Sequence, residues 1–406
     1  MKILMINKFF YRKGGSEAYM FDLIDLLKKS GHEVVEFSMS DKNNQDSKCK
    51  DFFIDNIDFS KREGFFKDLF KAGHLLYSFE ARKKLQELIN KEKPDIAHLH
   101  NFSFQLTPSI LAVLKKNNIP IIWTMHDYKL ICPNYRLFTK GAVCERCKKY
   151  KYYNCFRYKC IKNETAMSFL AMLEMYLHKI LLRSYESINL FISPSKFLAE
   201  KVVDWGIDAK KVKHIYNFIN LENFLANAEI GHGLIYFGRL SEEKGLLTLL
   251  EAMKELPEIN LTIIGDGPQK FEIENRIKEQ RLSNVRLLGY KKGQELYNLI
   301  KQSRLVVMPS IWYENNPIAI LEAFAMGKPV IGADLGGIPE LVRDGQTGFI
   351  FKNKQNADLI EKIKNNYFNT ELIQQMSQNC RQFVVENGQG SVHLKQIEAV
   401  YKTLIK

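Results

Sequence analysis

The chain alternates short apolar runs with helical periodicity, and it does so in two successive series. KILMIN at the start reads as a strand. A glycine-bearing loop follows, and Met20, Leu23, Ile24 and Leu27 then recur at helical spacing until Gly31, with Ser16 expected to cap that helix. HEVVEFSM is the next strand, so the chain opens with a βαβ unit, which favours a parallel sheet flanked by helices. PDIAHLH (94–100), a helix over 107–116, PIIWTM (120–125) and INLFIS (188–193) continue the rhythm. GLIYFGRL (233–240) opens the second series: a helix over 245–256, strand 259–265, helix 268–280, strand 285–290, helix 294–302 and strand 304–309. YENNPIAILEAF and strands 328–333 and 347–351 complete it. The expected fold class is α/β, two doubly wound Rossmann-like domains, residues 1–217 and 218–390, joined by a polar, Asn-bearing segment near 216–233.

Composition supports this reading. With 406 residues, 46% of them apolar, the chain can bury two cores and is too apolar to be disordered. Lys8 interrupts the opening apolar run too early for a signal-peptide core, so a cytoplasmic location is expected. The most apolar helix, around 168–182, contains Glu174, His178 and Lys179, which argues against a membrane span and for a core element or a membrane-touching surface. Charge is uneven: residues 1–233 hold 37 Lys/Arg against 26 Asp/Glu, and residues 234–406 hold 22 against 20. A basic first half suits a phosphorylated ligand, an anionic membrane face or nucleic acid, and a merely soluble surface would show the same excess.

In open parallel sheets, ligands bind beyond the carboxyl ends of the strands. Gly14 and Gly15, in KGGSE, open a helix there and free backbone N–H groups for an anion; a plain tight turn would use the same pair. His126 and Asp127 end the fourth strand. In FGRLSEEKG, Arg239 and Lys244 suit a diphosphate, against the plainer reading of a solvated loop in which Glu242 and Glu243 pair the cations. In YENNPIAILE, Pro317 fits the first helical position, with Asn315 and Asn316 ahead of it. Glu322 then falls in the second turn on an apolar helix face. A carboxylate is costly to bury there without a partner, and the partner can be a ligand.

GRLSEEKG, IIGDGP, LLGY, ENNPIAILE with AFAMGKPVI, and GGIPELVRDGQTGF occur in this order and resemble the retaining family 4 glycosyltransferases of GT-B fold, with KGGSE and MHDY consistent earlier in the chain. The resemblance implies two domains facing across a cleft, with the nucleotide sugar held mainly by the second and the acceptor by the first. A final helix around 391–406 would cross back to the first domain. Carried onto this chain, Glu322 would hold the ribose hydroxyls, Arg239 and Lys244 would clamp the diphosphate, and Gly14 and Gly15 would add backbone donors from across the cleft. Glu314 would meet the sugar hydroxyls with help from the N–H groups near Asn316 and Ile318. His126 would lie by the reacting sugar, and Gly289 and Tyr290 would border the base. The donor would be UDP- or GDP-linked and the acceptor a glycan or a lipid-linked glycan in surface polysaccharide synthesis, beside an anionic inner-membrane face. The Arg/Lys pair would stand in for a catalytic metal. Retention would run by same-face attack, or by two displacements with Glu314 as nucleophile.

Cys132, Cys144, Cys147, Cys155 and Cys160 lie within 29 residues. Cytoplasmic thiols are normally reduced, so this density suggests metal more than disulfides. Cys144 and Cys147 have zinc-ligand spacing, and Cys132 and Cys160 would complete a structural site with Cys155 spare; free thiols are the alternative. The insertion also carries eight Lys/Arg and five aromatics between 140 and 162. That combination raises a rival, a nucleic-acid-binding protein with a zinc module, but no recognition-helix spacing accompanies it and no nucleic-acid partner is expected. An NAD-dependent dehydrogenase would need GxGxxG after a first strand, which neither half supplies.

Overall fold

A computed structural model describes residues 1–57, 64–224 and 230–405. Two six-stranded sheets, each parallel throughout, form the centres of two α/β layers. In the first, the strand order is Glu33–Phe37, Lys2–Ile6, Ile96–Leu99, Ile121–Thr124, Leu190–Ser193, Val212–His214. In the second it is Val285–Leu287, Leu261–Ile264, Leu234–Phe237, Leu305–Met308, Val330–Ala333, Gly348–Phe351. The central strands are buried on both faces, as parallel strands covered by helices must be.

Strand order reverses beside the first strand of each sheet. In the second domain that crevice opens between the ends of Leu234–Phe237 and Leu305–Met308, which pair directly. Loops leaving such a point diverge to either side and leave a cleft at the strand ends.

Each sheet has its own apolar core, and the last helix, Gly390–Leu404, joins the first: Ile397, Val400 and Tyr401 are buried among that domain's residues. His393 on this helix bonds Tyr19 at 2.8 Å, and Tyr401 bonds His98 at 2.7 Å. The strand-end loops of the two domains also meet. Ser195 Oγ donates to Asn315 Oδ1 (2.6 Å), Asn315 Nδ2 donates to the Met125 carbonyl (3.0 Å), and Glu340 accepts the N–H groups of Lys196 and Phe197.

Helix Thr165–Met175 runs on into a π-helical segment, Tyr176–Leu181, and no described helix is long and apolar enough to cross a membrane. Its polar residues point inward. Glu174 accepts from Lys129 at 2.5 Å with both side chains almost fully enclosed, and His178 bonds Ser184 and the Leu76 carbonyl. Removing one member of such a buried pair typically costs about 3–5 kcal/mol, because it strands the other charge.

Candidate active site

The floor of the cleft is built by the loop after Leu234–Phe237. Arg239 lies exposed at its start, and a short 3-10 turn, Glu242–Lys244, follows. Gly245 ends that turn with φ +71°, and an added Cβ would sit 1.9 Å from the Pro309 carbonyl oxygen. Only glycine permits this approach, and the approach holds the turn against the end of the neighbouring strand.

Lys244 Nζ consequently reaches Glu314 Oε1 at 2.7 Å, and Ser310 Oγ donates to the same oxygen at 2.6 Å. Burial pushes the Glu314 carboxyl up, but the Lys244 charge and the hydrogen bonds outweigh it, and the net shift is downward. Glu314 is therefore an ionised, buried carboxylate already paired with the expected phosphate ligand. Lys244 also lies 5.4 Å over the Trp312 ring. Glu242 and Glu243 do not neutralise the cations: Glu243 takes Ser241 and Arg136 instead, and Arg239 has no side-chain partner among the described residues.

Pro317 precedes the helix, Ile318–Ala325, rather than opening it. Its ψ of 115° is extended, so the helical turn closes one residue later than its fixed φ suggested. Asn316 turns to the linker, accepting from the Asn217 N–H at 3.1 Å, with its carbonyl bonded by Asn217 Nδ2. The Glu322 side chain, half-buried on the same helix, makes no hydrogen bond or ion pair among the described residues. Burial, and secondarily the charge of Asp22 from the first domain, pushes its carboxyl up to about 7. Gly289, two residues past strand Val285–Leu287, has φ +69°, and Tyr290 beside it is exposed with no side-chain partner among the described residues.

Helix Gly15–Lys29 faces this floor. Gly14 is its N-cap and Ser16 lies inside the first turn, where its hydroxyl accepts from Asn101 instead of capping. The N–H groups of Gly15 and Ser16 make no backbone hydrogen bond. An added Cβ on Gly15 would lie 3.5 Å from Ile318 Cδ1, so the two helix starts confront each other across the cleft. His126 shares a hydrogen bond with His100 (2.9 Å) and packs edge-on to Tyr19. Burial lowers its pKa to about 3, which leaves it neutral near pH 7. Next to it, Asp127, Lys8, Lys129, Asn101 and Ser103 line a polar cavity of about 20 Å³.

Residues 13–223 match the sequence profile described as Glycosyltransferase Family 4, and residues 225–383 match Glycosyl transferases group 1. The chain belongs to glycosyltransferase family 4. This glycosyltransferase is 25% identical over 385 residues to an uncharacterised glycosyltransferase of Methanocaldococcus jannaschii, covering 94% of this chain and 93% of the relative. It is 26% identical to the Escherichia coli UDP-Gal:alpha-D-GlcNAc-diphosphoundecaprenol alpha-1,3-galactosyltransferase, over 88% of each. Among solved structures, Anabaena HepE in complex with UDP and glucose superposes with a TM-score of 0.68 at 18% identity, covering 99% of this chain and all of that one. The fold is GT-B.

The cysteine insertion of this glycosyltransferase reaches over the cleft to the second domain, a role its composition did not announce. Arg136 bonds Glu243 at 2.6 Å, Tyr313 Oη donates to Glu145 at 3.0 Å, and Lys354 bonds the Gly141 carbonyl at 2.8 Å. Cys132, Cys144, Cys147, Cys155 and Cys160 all line one pocket, and at 1% exposure Cys155 is the most enclosed of them. As placed, no three His, Cys, Asp or Glu side chains among the described residues stand ready to hold a metal ion. Ser310, Trp312 and the Arg136–Glu243 pair carried no sequence motif. Only the juxtaposition of strand ends reveals them.

Proposed function

We propose that this cleft transfers a hexose from a nucleotide sugar, with retention, to a glycan or lipid-linked acceptor in surface polysaccharide synthesis. The observation that carries the reading is Glu322, a half-buried carboxylate in the cleft without a partner among the described residues, on the same floor as Arg239 and Lys244. Two ribose hydroxyls would satisfy it, and the cations would meet the diphosphate next to it. Gly14 and Gly15 would add backbone donors, and Tyr290 with Gly289 would border the base. UDP is favoured over GDP because the E. coli relative uses a UDP-sugar and the Anabaena structure holds UDP.

In the reaction the anomeric C–O bond to the diphosphate breaks and the electron pair leaves with the phosphate oxygen. The acceptor hydroxyl oxygen bonds the anomeric carbon from the same face and passes its proton to that leaving oxygen. Arg239 and Lys244 stabilise the growing charge, a role a metal plays elsewhere, so the reaction is proposed to be metal-independent. Lys244 turns from Glu314 toward the diphosphate as the donor enters, and Glu314, with the N–H groups near Asn316 and Ile318, takes sugar hydroxyls. His126, neutral, lies by the sugar. A diphosphate-linked lipid acceptor, as named for the E. coli relative, would place the enzyme on the inner membrane face.

The test is nucleotide protection followed by hydrolysis of a nucleotide-sugar panel. UDP is expected to raise the melting temperature and one UDP-hexose to be hydrolysed. Protection by NAD or an oligonucleotide, without protection by UDP or GDP, would reverse the reading.

The shared pocket supports a further proposal, that the insertion thiols turn inward onto a structural zinc. Cys132, Cys144, Cys147 and Cys160 would supply the four thiolate ligands, and Cys155 lines the same pocket.

A further inference from the structure

The outer face of the first domain carries apolar side chains that no described residue covers. Helix Phe65–Leu76 presents Leu69 and Phe70, 61% and 70% exposed, and packs beside helix Thr165–Met175. That helix presents Phe169, whose ring lies 5.4 Å from the exposed Phe156 of helix Tyr153–Arg157. Its π-helical continuation ends in exposed Ile180 and in Leu181, 75% exposed. On this helix Ser168, Glu174 and His178 are buried beside Ala171, Met172 and Met175 on the inner side, while Phe169, Ile180 and Leu181 face out. Inner polar groups are bonded to the domain, so the outward apolar face is held in place by its own packing.

Beside this face, the segment between Glu145 and Glu164 contains no acidic residue. Lys149, Lys151, Arg157, Lys159 and Lys162 are exposed there, and none forms an ion pair among the described residues. Aliphatic and aromatic groups flanked by unpaired cations match an anionic lipid surface, where the side chains enter the acyl boundary and the cations meet phosphates. Nucleic acid would engage the cations and leave Leu69, Ile180 and Leu181 in water.

We propose that this face docks the enzyme on an anionic phospholipid bilayer, with Phe70, Phe169 and Leu181 entering the interface and Lys151, Arg157 and Lys159 on the headgroups. Docking depends on no step of sugar transfer, so its failure and that of the catalytic reading are separable. The full chain is sedimented with vesicles of phosphatidylcholine alone and with about 30% phosphatidylglycerol, a content chosen to supply the surface potential such segments respond to. Binding is expected only with the anionic lipid and should weaken with salt. Each cation neutralised should cost about fivefold, so Lys151→Gln with Arg157→Gln should lose about thirtyfold. Phe169→Ser with Leu181→Ser should lose at least about tenfold even at low salt, while UDP protection and melting temperature stay unchanged. Equal binding to neutral vesicles, no loss in either double variant, a preference for an oligonucleotide, or concentration-dependent dimerisation through the face in place of vesicle binding would each overturn the proposal.

Discussion

Replacing Glu322 by Gln should stabilise the empty protein and weaken its hold on nucleotide, two effects of opposite sign from one substitution. Burial shifts this carboxyl from 4.5 to about 7. At about 1.4 kcal/mol per unit, discounted because the side chain keeps some contact with water, ionising it in the fold costs roughly 2 kcal/mol. The sign follows from a raised folded-state pKa on an acid. The cost is absent below the unfolded value near 4.3, grows as pH rises, and is complete above about 7. Glutamine keeps the shape without the charge, so the variant should melt a few degrees above the parent at pH 8 and level with it at pH 5. In the liganded cleft the ionised carboxylate accepts two hydroxyls, and losing the charge-assisted part should lower UDP affinity by roughly ten- to a hundredfold. For the parent relative to the variant, the affinity advantage should fade as pH drops from 8 to 6. Melting scans at the two pH values, with and without UDP, read both effects. A variant that melts lower at pH 8 and binds UDP as well as the parent would refute both the buried charge and the ribose assignment.

Arg239→Ala and Lys244→Ala should each lower turnover by on the order of a hundredfold, since both act on the departing diphosphate, and Lys244→Ala should also melt lower because it leaves the buried Glu314 carboxylate without its cation; near-normal kcat in both would remove them from the site. Glu314→Gln should lower kcat while affinity for free UDP is kept or rises, because its sugar contact lies beyond the diphosphate and the substitution removes the ion pair from which Lys244 must turn; a covalent glycosyl adduct on Glu314 would instead establish double displacement. Purified protein should contain about one zinc per chain, and Cys144→Ser should lose it along with the protease resistance of the insertion; free thiols without zinc would leave the pocket a reduced packing element.

Much of this architecture is local in origin and was readable from residue order. KILMIN, LIYF and LVVM are strands because consecutive apolar residues bounded by glycine or proline can be satisfied in a covered parallel sheet, and the βα alternation leaves little choice of topology. Arg239, Lys244 and Glu314 stood out as candidates because they follow strand ends, where doubly wound folds place ligands, and Glu322 because it lies on an apolar helix face; the roles proposed for them come from the family resemblance. Helix boundaries shifted by a residue or two: Gly14, not Ser16, occupies the cap, and Pro317 stands outside its helix, since end geometry answers to packing as well as propensity. What tertiary structure alone decided was pairing. Lys244 and Glu314 are 70 residues apart, Arg136 and Glu243 are 107 apart, and His100 meets His126 because adjacent strands align them. The same holds for the helix at 165–181, read as a core element or a membrane-touching surface: Ala171, Met172 and Met175 join a small apolar core, and Glu174 and His178 are buried beside them. Sequence periodicity states how often a face recurs. Which face turns inward depends on partners such as Lys129 and Leu76, which only the folded chain brings within hydrogen-bond distance.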